Sequence, residues 1–403
     1  MLGSSPKAHR RFVFSILGTL LAVGTIFVTL NTWINPLWVT PTPWTNSDFA
    51  EWRPIYRHQR TAKAGLVRAE KWDTAFFGSS RIDIAMDPSL PQWGETRAVN
   101  LAVSAGTLPE TSGILHYAIE RDPLKLCIVG IDLGDLMGAG SAIRSTGYME
   151  SPFNEKGDPF ERELRYLAGI STFESSIRTL TNRAKERLPE YTPQGHRKRH
   201  QNPLDVAKVI HRDSIPHAMR TIRRRAIRPV EPHPWKVECL QRILDDTKKH
   251  HTQLVVVMPP NHASYLGVYH YLEDVDRVHS ADRLAMIEML EKSNEDHPDA
   301  PPAIIWDFND FHPLNCEPIP MDGKELMHWW VDGTHARKEL GDVMLARIMG
   351  WPIEGPGADY GVQLTRERLE ERYQQLRDGY QRFKSESPEL WQWMVDGIHD
   401  YQK

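Results

Sequence analysis

The sequence predicts an α/β fold: a parallel sheet with helices on both faces, held outside a membrane by one N-terminal helix. Three observations predict it. Short apolar runs alternate with helical patterns over residues 72–350, the signature of a parallel sheet covered by helices. A run without charge, Phe12 to Leu30, follows Lys7, His9, Arg10 and Arg11. The 403 residues accommodate one α/β domain of roughly 250 residues with insertions, and two large independent domains are not required.

As a helix, residues 12–30 rise about 28 Å, close to the hydrocarbon thickness of a bilayer. Because the positive residues precede the run, the positive-inside rule leaves residues 1–11 in the cytoplasm. Residues 31–403 then lie outside, on the periplasmic face of a cytoplasmic (inner) membrane crossed once. Trp33, Trp38 and Trp44 fall where an interfacial aromatic belt would lie. A cleaved signal peptide is the competing reading, but the apolar run is long for one and no Ala-x-Ala site follows it. Residues 31–71, rich in Pro and Trp at their start, read as a linker.

The strand candidates are residues 74–77, 98–101, 126–131, 254–258 and 303–306, each short, apolar and bounded by polar or turn residues. Thr107 caps a predicted helix, with Glu110 three residues on and Pro109 in its first turn; Ile114, Leu115, Ala118 and Ile119 form its buried stripe. A predicted helix over 336–349 carries Leu340, Val343, Met344 and Ile348 on one face and ends at Gly350. Residues 136–232 break the alternation and read as a helical insertion at the rim of the domain. Its stretch 197–228 has ten Lys/Arg against Asp205 and Asp213. That imbalance predicts a basic surface, including Arg223, Arg224 and Arg225, for anionic lipid or an acidic glycan; the plainer alternative is a solvated helical face. Residues 351–403 read as a helical extension in which Leu369, Tyr373, Leu376, Tyr380 and Phe383 form an apolar seam, facing either the same domain or a partner.

Composition narrows the function. A formal net charge of -4 gives the whole chain no general affinity for nucleic acid. Cys127, Cys239 and Cys316 stand at unrelated spacings, allow at most one disulfide and do not form a zinc set. The 18 histidines include no His-x-His or His-Glu-x-x-His spacing, so no metal and no cofactor is expected.

Two motifs carry chemistry. Gly78-Ser79-Ser80-Arg81 follows a buried strand directly, with a glycine two residues before Ser80 to let the chain turn tightly. A serine there projects from the carboxyl edge of the sheet, where open α/β folds place their ligands. Near the other end, Trp329-Trp330-Val331-Asp332-Gly333-Thr334-His335 sets a carboxylate three residues before an imidazole. A serine nucleophile needs a base near pKa 7, and that base needs an acceptor on its other nitrogen. Taken singly, the first motif is also an ordinary turn and the second an ordinary helix cap.

Together the motifs resemble the first and last sequence blocks of the SGNH/GDSL hydrolase superfamily. There the nucleophile follows the first strand and Asp-x-x-His precedes the last helix. Residues 100–107, Asn-Leu-Ala-Val-Ser-Ala-Gly-Thr, are similar to its second block, whose loop gives a backbone N–H to the oxyanion hole. The resemblance covers roughly residues 72–350 and implies an SGNH-like three-layer α/β/α fold. It also implies Ser80 as nucleophile, His335 as base, Asp332 as the group that orients it, and Ala105 or Gly106 as oxyanion donor beside the Ser80 N–H. Two positions depart from the pattern. Ser79 stands where the superfamily has Asp, and the third-block Asn is missing from Gly130-Ile131-Asp132-Leu133-Gly134. Asn261, His262 and Arg81 are the candidates to replace its side-chain donor; Asp132 could donate only if protonated, and otherwise reads as a strand-end residue that binds a backbone N–H.

With one N-terminal span and the block Trp-Trp-x-Asp-Gly-x-His, the chain looks like a membrane-anchored subgroup. Its relatives include proteins of exopolysaccharide O-acetylation and, more distantly, the anchored protein of lipoteichoic acid D-alanylation. This implies acyl transfer or ester hydrolysis on an envelope or extracellular polysaccharide, with a multispanning membrane O-acyltransferase as partner, docked through residues 12–30 or 369–383. The rival expectation is a non-catalytic SGNH-like glycan-binding or scaffold protein of an envelope assembly complex. The altered third block favours the rival, and the Asp332/His335 pair opposes it.

Overall fold

Each of the five predicted apolar runs becomes a strand, because each is too short for a helix and is buried on both sides. They are β1 (Thr74–Phe77), β2 (Ala98–Asn100), β3 (Leu126–Gly130), β4 (Gln253–Met258) and β5 (Ile304–Asp307). A computed structural model of the chain describes residues 6–137, 143, 146–226, 230–272 and 275–403. The sheet runs in the order β2-β1-β3-β4-β5-β6. Its first five strands are parallel; β6 (Val362–Leu364) pairs antiparallel to β5, with Ile305 opposite Leu364. The segment read as a helical extension therefore begins by closing the sheet. Three residues with one buried side chain are too short to signal a strand on their own.

The helices are, in chain order, α1 (Pro6–Ile34), α2 (Gln59–Ala69), α3 (Ser80–Ala85), α4 (Leu108–Arg121), α5 (Thr146–Met149), α6 (Pro159–Ala168) and α7 (Ile170–Ala184). They continue with α8 (Val206–Ala226), α9 (Pro234–Lys249), α10 (Ala263–Tyr271), α11 (Val275–Asp296), α12 (Lys338–Met349), α13 (Leu369–Glu386) and α14 (Pro388–Gln402). The chain divides into two compact units: residues 1–70 with 145–193, and residues 71–144 with 194–403.

The second unit holds the sheet. α4, α9 and α11 pack in one row, and α3 packs on α12. The capping box at Thr107 and Glu110 is present, and Ile114, Leu115, Ala118 and Ile119 are all buried. α12 ends at Gly350 in the left-handed conformation; Leu340 and Met344 are buried, with Leu345 beside them, and Val343 and Ile348 half-buried.

The seam of α13 belongs to its own domain. Leu369, Leu376 and Phe383 are buried, Phe383 stacks on Phe311 at 5.4 Å, and Tyr380 stacks on the His270 ring at 5.0 Å. The same helix buries Arg372, whose Nε lies 3.0 Å from Asp307 Oδ2 at the end of β5; Arg283 Nε approaches the same oxygen at 3.0 Å. Burial alone raises the Asp307 pKa, but the two guanidiniums outweigh it and hold the carboxylate below its ordinary value.

In the first unit, α1 contains the one helix segment among the described residues that is long and apolar enough to cross a membrane: His9–Ile34, with a mean hydropathy of 2.2. Its end packs on α6 and α7. Phe27 stacks on Phe173 at 4.2 Å, and Asn31 donates to the Leu167 carbonyl and accepts from Ser176 Oγ, both at 2.9 Å. Residues 31–71 are not a linker. They contain α2, which packs on α5, and Gly65 lies directly against the Trp38 carbonyl. Trp38 is consequently 4 % exposed and no part of an aromatic belt, whereas Trp33 and Trp44 are exposed.

The predicted insertion is split: residues 145–193 fold with the N-terminal segment, and from residue 194 the chain belongs to the sheet unit. Of the basic stretch, Arg223 is exposed with its guanidinium 4.9 Å from the Tyr401 ring, while residues 227–229 and the Arg224 and Arg225 side chains lie outside the described residues. All three cysteines are free thiols.

Candidate active site

The expected nucleophile, Ser80, is positioned by Gly78, the residue after β1. Gly78 has φ +138, a conformation closed to other residues, and a Cβ there would stand 2.9 Å from the Gly130 carbonyl oxygen. Ser79 then caps α3, its Oγ accepting from the Arg81 N–H at 3.4 Å, and Ser80 becomes the first residue of that helix. β1 lies between β2 and β3, so Ser80 stands at the carboxyl edge where the strand order reverses.

The imidazole of His335 comes from a closed loop. Trp330 is fully buried, donates from Nε1 to the Leu314 carbonyl at 2.8 Å and bridges to Ala336. Backbone bonds from Val331 N to His335 O (2.9 Å) and from Arg337 N to Trp329 O (2.8 Å) bring the ends of the loop together. Asp332 Oδ1 accepts from the Thr334 and His335 N–H groups, each at 2.9 Å. Both its carboxylate oxygens lie 2.8 Å from His335 Nδ1, and His335 Nε2 lies 2.7 Å from Ser80 Oγ. Residues 255 positions apart thus form a continuous Ser–His–Asp relay. α12, which follows the loop, seats Gly341 so closely on the Ala85 carbonyl of α3 that no Cβ fits between them, and this ties the halves of the relay together.

Asp332 is 2 % exposed. Burial would raise its pKa, but the His335 charge and the bonds from His335 and Thr334 overcome that and hold it at about 2, against an ordinary 3.8. A folded-state value below the unfolded one contributes stability that is complete above about pH 4 and is lost as pH falls toward 2. The contribution is roughly 2 kcal/mol. In urea titrations the stability gap between the wild type and Asp332→Asn is expected to narrow by about that amount between pH 5 and pH 2.5. A gap independent of pH would show that Asp332 is not held ionised by His335.

The loop expected to form the oxyanion side offers fewer free N–H groups than the sequence predicts. Gly106 N–H donates to the Val103 carbonyl at 2.9 Å, closing a turn, so of the two expected donors only Ala105 is left. Ala105 is exposed at φ +52, and among the described residues its N–H and that of Ser80 have no acceptor. The turn is held against the site by the Val103 N–H, which donates to the Gly78 carbonyl at 3.0 Å.

Two of the three expected replacement donors lie in structural bonds instead. Asn261 is buried and donates from Nδ2 to Asn309 Oδ1 at 2.5 Å. His262 caps α10, and its Nε2 lies 2.8 Å from the Glu317 carbonyl; burial lowers its pKa to about 4 and keeps the ring neutral. Arg81 does reach the site region, with Nε 3.5 Å from Asp132 Oδ1 and a buried Nη1 that has no partner among the described residues. Asp132 also accepts from Ser79 Oγ at 3.2 Å, so its carboxylate is turned toward Ser79 and Arg81, and among the described residues it accepts no backbone N–H. A small cavity of about 80 Å³, lined by Ser79, Gly106, Thr107, Ile131 and Asp132, opens beside it. A much larger hollow, about 880 Å³ and lined by residues of β5, β6 and α13, contains no residue of the relay; geometry rather than size locates the site.

Three supporting residues carry no local sequence signal. Arg197 donates from Nη1 to Ser104 Oγ at 2.5 Å, in the turn before Ala105. Gln201 donates to the Val331 carbonyl at 2.7 Å and accepts from Arg337 Nη2 at 2.8 Å, bracing the loop of Asp332 and His335. All three become visible only when the basic stretch folds back on the sheet edge. No protein-family model matches the chain, and no curated protein matches it in sequence.

Proposed function

We propose that this protein is a membrane-anchored, extracytoplasmic serine acyltransferase or esterase of SGNH-like fold, acting on O-acyl groups of an envelope or extracellular polysaccharide. The observation that carries this reading is the relay itself, Ser80 Oγ to His335 Nε2 at 2.7 Å and His335 Nδ1 to Asp332 at 2.8 Å. With Asp332 accepting the Nδ1 proton, the Nε2 lone pair faces Ser80 and takes its proton as Oγ attacks the acyl carbonyl. The Ser80 and Ala105 N–H groups receive the developing oxyanion. His335 then returns the proton to the leaving oxygen, and water or a sugar hydroxyl accepts the acyl group from Ser80. The small cavity beside Ser79 suits a short acyl chain.

The basic residues at the start of α1, ahead of its apolar run, support a sheet unit outside the membrane, away from cytosolic acyl-CoA; transfer would then draw on a multispanning membrane O-acyltransferase as donor. The rival, a glycan-binding scaffold without catalysis, is favoured by one specific feature. Asp132 stands in the sequence block where the superfamily has its donor Asn, and a carboxylate donates only if protonated. A fluorophosphonate probe separates the two: an active serine is expected to give one adduct per chain, mapped by mass spectrometry to Ser80, and the adduct should disappear in His335→Ala. Absence of any Ser80 adduct, with no turnover of p-nitrophenyl acetate, would leave only the scaffold.

A further inference from the structure

Away from the relay, α4 and α9 lie side by side with two pairs of polar residues facing each other. His116 and Glu120 are one turn apart on α4; Asp246 and His250 are one turn apart at the end of α9. His116 Nδ1 lies 2.9 Å from Asp246 Oδ2, and His250 Nε2 lies 3.1 Å from Glu120 Oε1. The ligand atoms of His116, Glu120 and Asp246 are all within 4.8 Å of one another. His116 stands about 12 Å along α4 from its first residue, so the cluster is far from the carboxyl edge of the sheet that holds Ser80.

We propose that His116, Glu120 and Asp246 form a binding site for one zinc ion or a similar divalent transition metal, with water as the fourth ligand and His250 orienting Glu120. One imidazole nitrogen and two carboxylates make a mixed N/O set of the kind these ions take. Tetrahedral bonds of about 2.1 Å separate ligand atoms by about 3.4 Å, inside the range already present, so the side chains need only small adjustments. The frame is firm: the ligands sit on helices of 14 and 16 residues, and Asp246 is only 8 % exposed at their junction. The main competitor is Lys249, whose Nζ lies 2.5 Å from Glu120 Oε1, with Arg242 more weakly placed at 4.0 Å from Asp246. The Lys249 side chain is 61 % exposed and its surface ion pair is weak, so a metal displaces it readily. Spacing rules could not find this set, because His116 and Asp246 are 130 positions apart.

The test uses the full chain in detergent micelles, stripped with EDTA, and is independent of the acyl-transfer reading. Titration calorimetry with zinc chloride is expected to give one site per chain, and zinc should raise the melting temperature by several degrees. His116→Ala and Asp246→Asn should each weaken binding by at least about tenfold and remove the rise in melting temperature. Lys249→Ala should tighten it. If either core variant fails to fold, Glu120→Gln at the exposed rim is expected to show the same loss. Absence of zinc binding by the wild type, or binding undiminished in His116→Ala or Glu120→Gln, overturns the proposal.

Discussion

Replacing Ser80 with alanine is expected to cut p-nitrophenyl acetate turnover on the order of a thousandfold or more while leaving the melting temperature unchanged. The argument is one of geometry. Ser80 Oγ is the atom 2.7 Å from His335 Nε2, whereas Ser79 Oγ points to Asp132 and caps α3. Ser79→Ala therefore removes a cap and a bond to a carboxylate, and is expected to lower activity by severalfold with a stability loss of about 1 kcal/mol. Ser80 is half-buried at the start of α3 and bonds only His335 among the described residues, so its truncation leaves the fold without a cavity of consequence. An active Ser80→Ala beside a dead Ser79→Ala would reverse the assignment of the nucleophile, and two active variants would remove the enzyme reading.

Asp332→Asn is expected to lower kcat by about four orders of magnitude with little change in the position of the ring. Both carboxylate oxygens of Asp332 now face His335 Nδ1, and Oδ1 also accepts the Thr334 and His335 N–H groups. In the variant, the amide oxygen keeps those backbone bonds and the amide nitrogen is left facing Nδ1. A donor there forces Nδ1 to accept, which moves the imidazole proton to Nε2, the nitrogen directed at Ser80. A protonated Nε2 cannot take the Ser80 proton. The loss should fall on kcat, because Asp332 is 2 % exposed and touches no substrate. A variant retaining near-wild-type kcat would mean that Asp332 serves the loop and not the chemistry.

The relay was legible in the sequence because each half is local. Gly78-Ser79-Ser80 after an apolar strand, and Asp332 three residues before His335, are short patterns; each alone is an ordinary turn or cap, and their order along the chain, matching the block resemblance, is what paired them. The same holds for the five parallel strands, the capping box at Thr107 and the glycine stop of α12, all set by burial or by neighbouring residues. The apolar, charge-free run in α1 likewise reads as a span from composition alone.

Other features were set by contacts between distant segments, which no window of sequence contains. Whether Gly106 or Ala105 offers its N–H depends on a turn closed by Val103, and whether Asn261 and His262 are free depends on Asn309 and Glu317. Pro- and Trp-rich composition made residues 31–71 look like a linker, yet Trp38 is buried there against α2. β6 forms because β5 offers it an edge to pair with. The sequence by itself determined the strands and the apolar run of α1, because these follow from periodicity and composition, and it offered the relay residues as two local motifs that the block resemblance joined. Only the tertiary structure decided which polar groups are free to act, because a hydrogen bond to a partner far along the chain, such as His262 to the Glu317 carbonyl, uses up a side chain that looks available in the sequence.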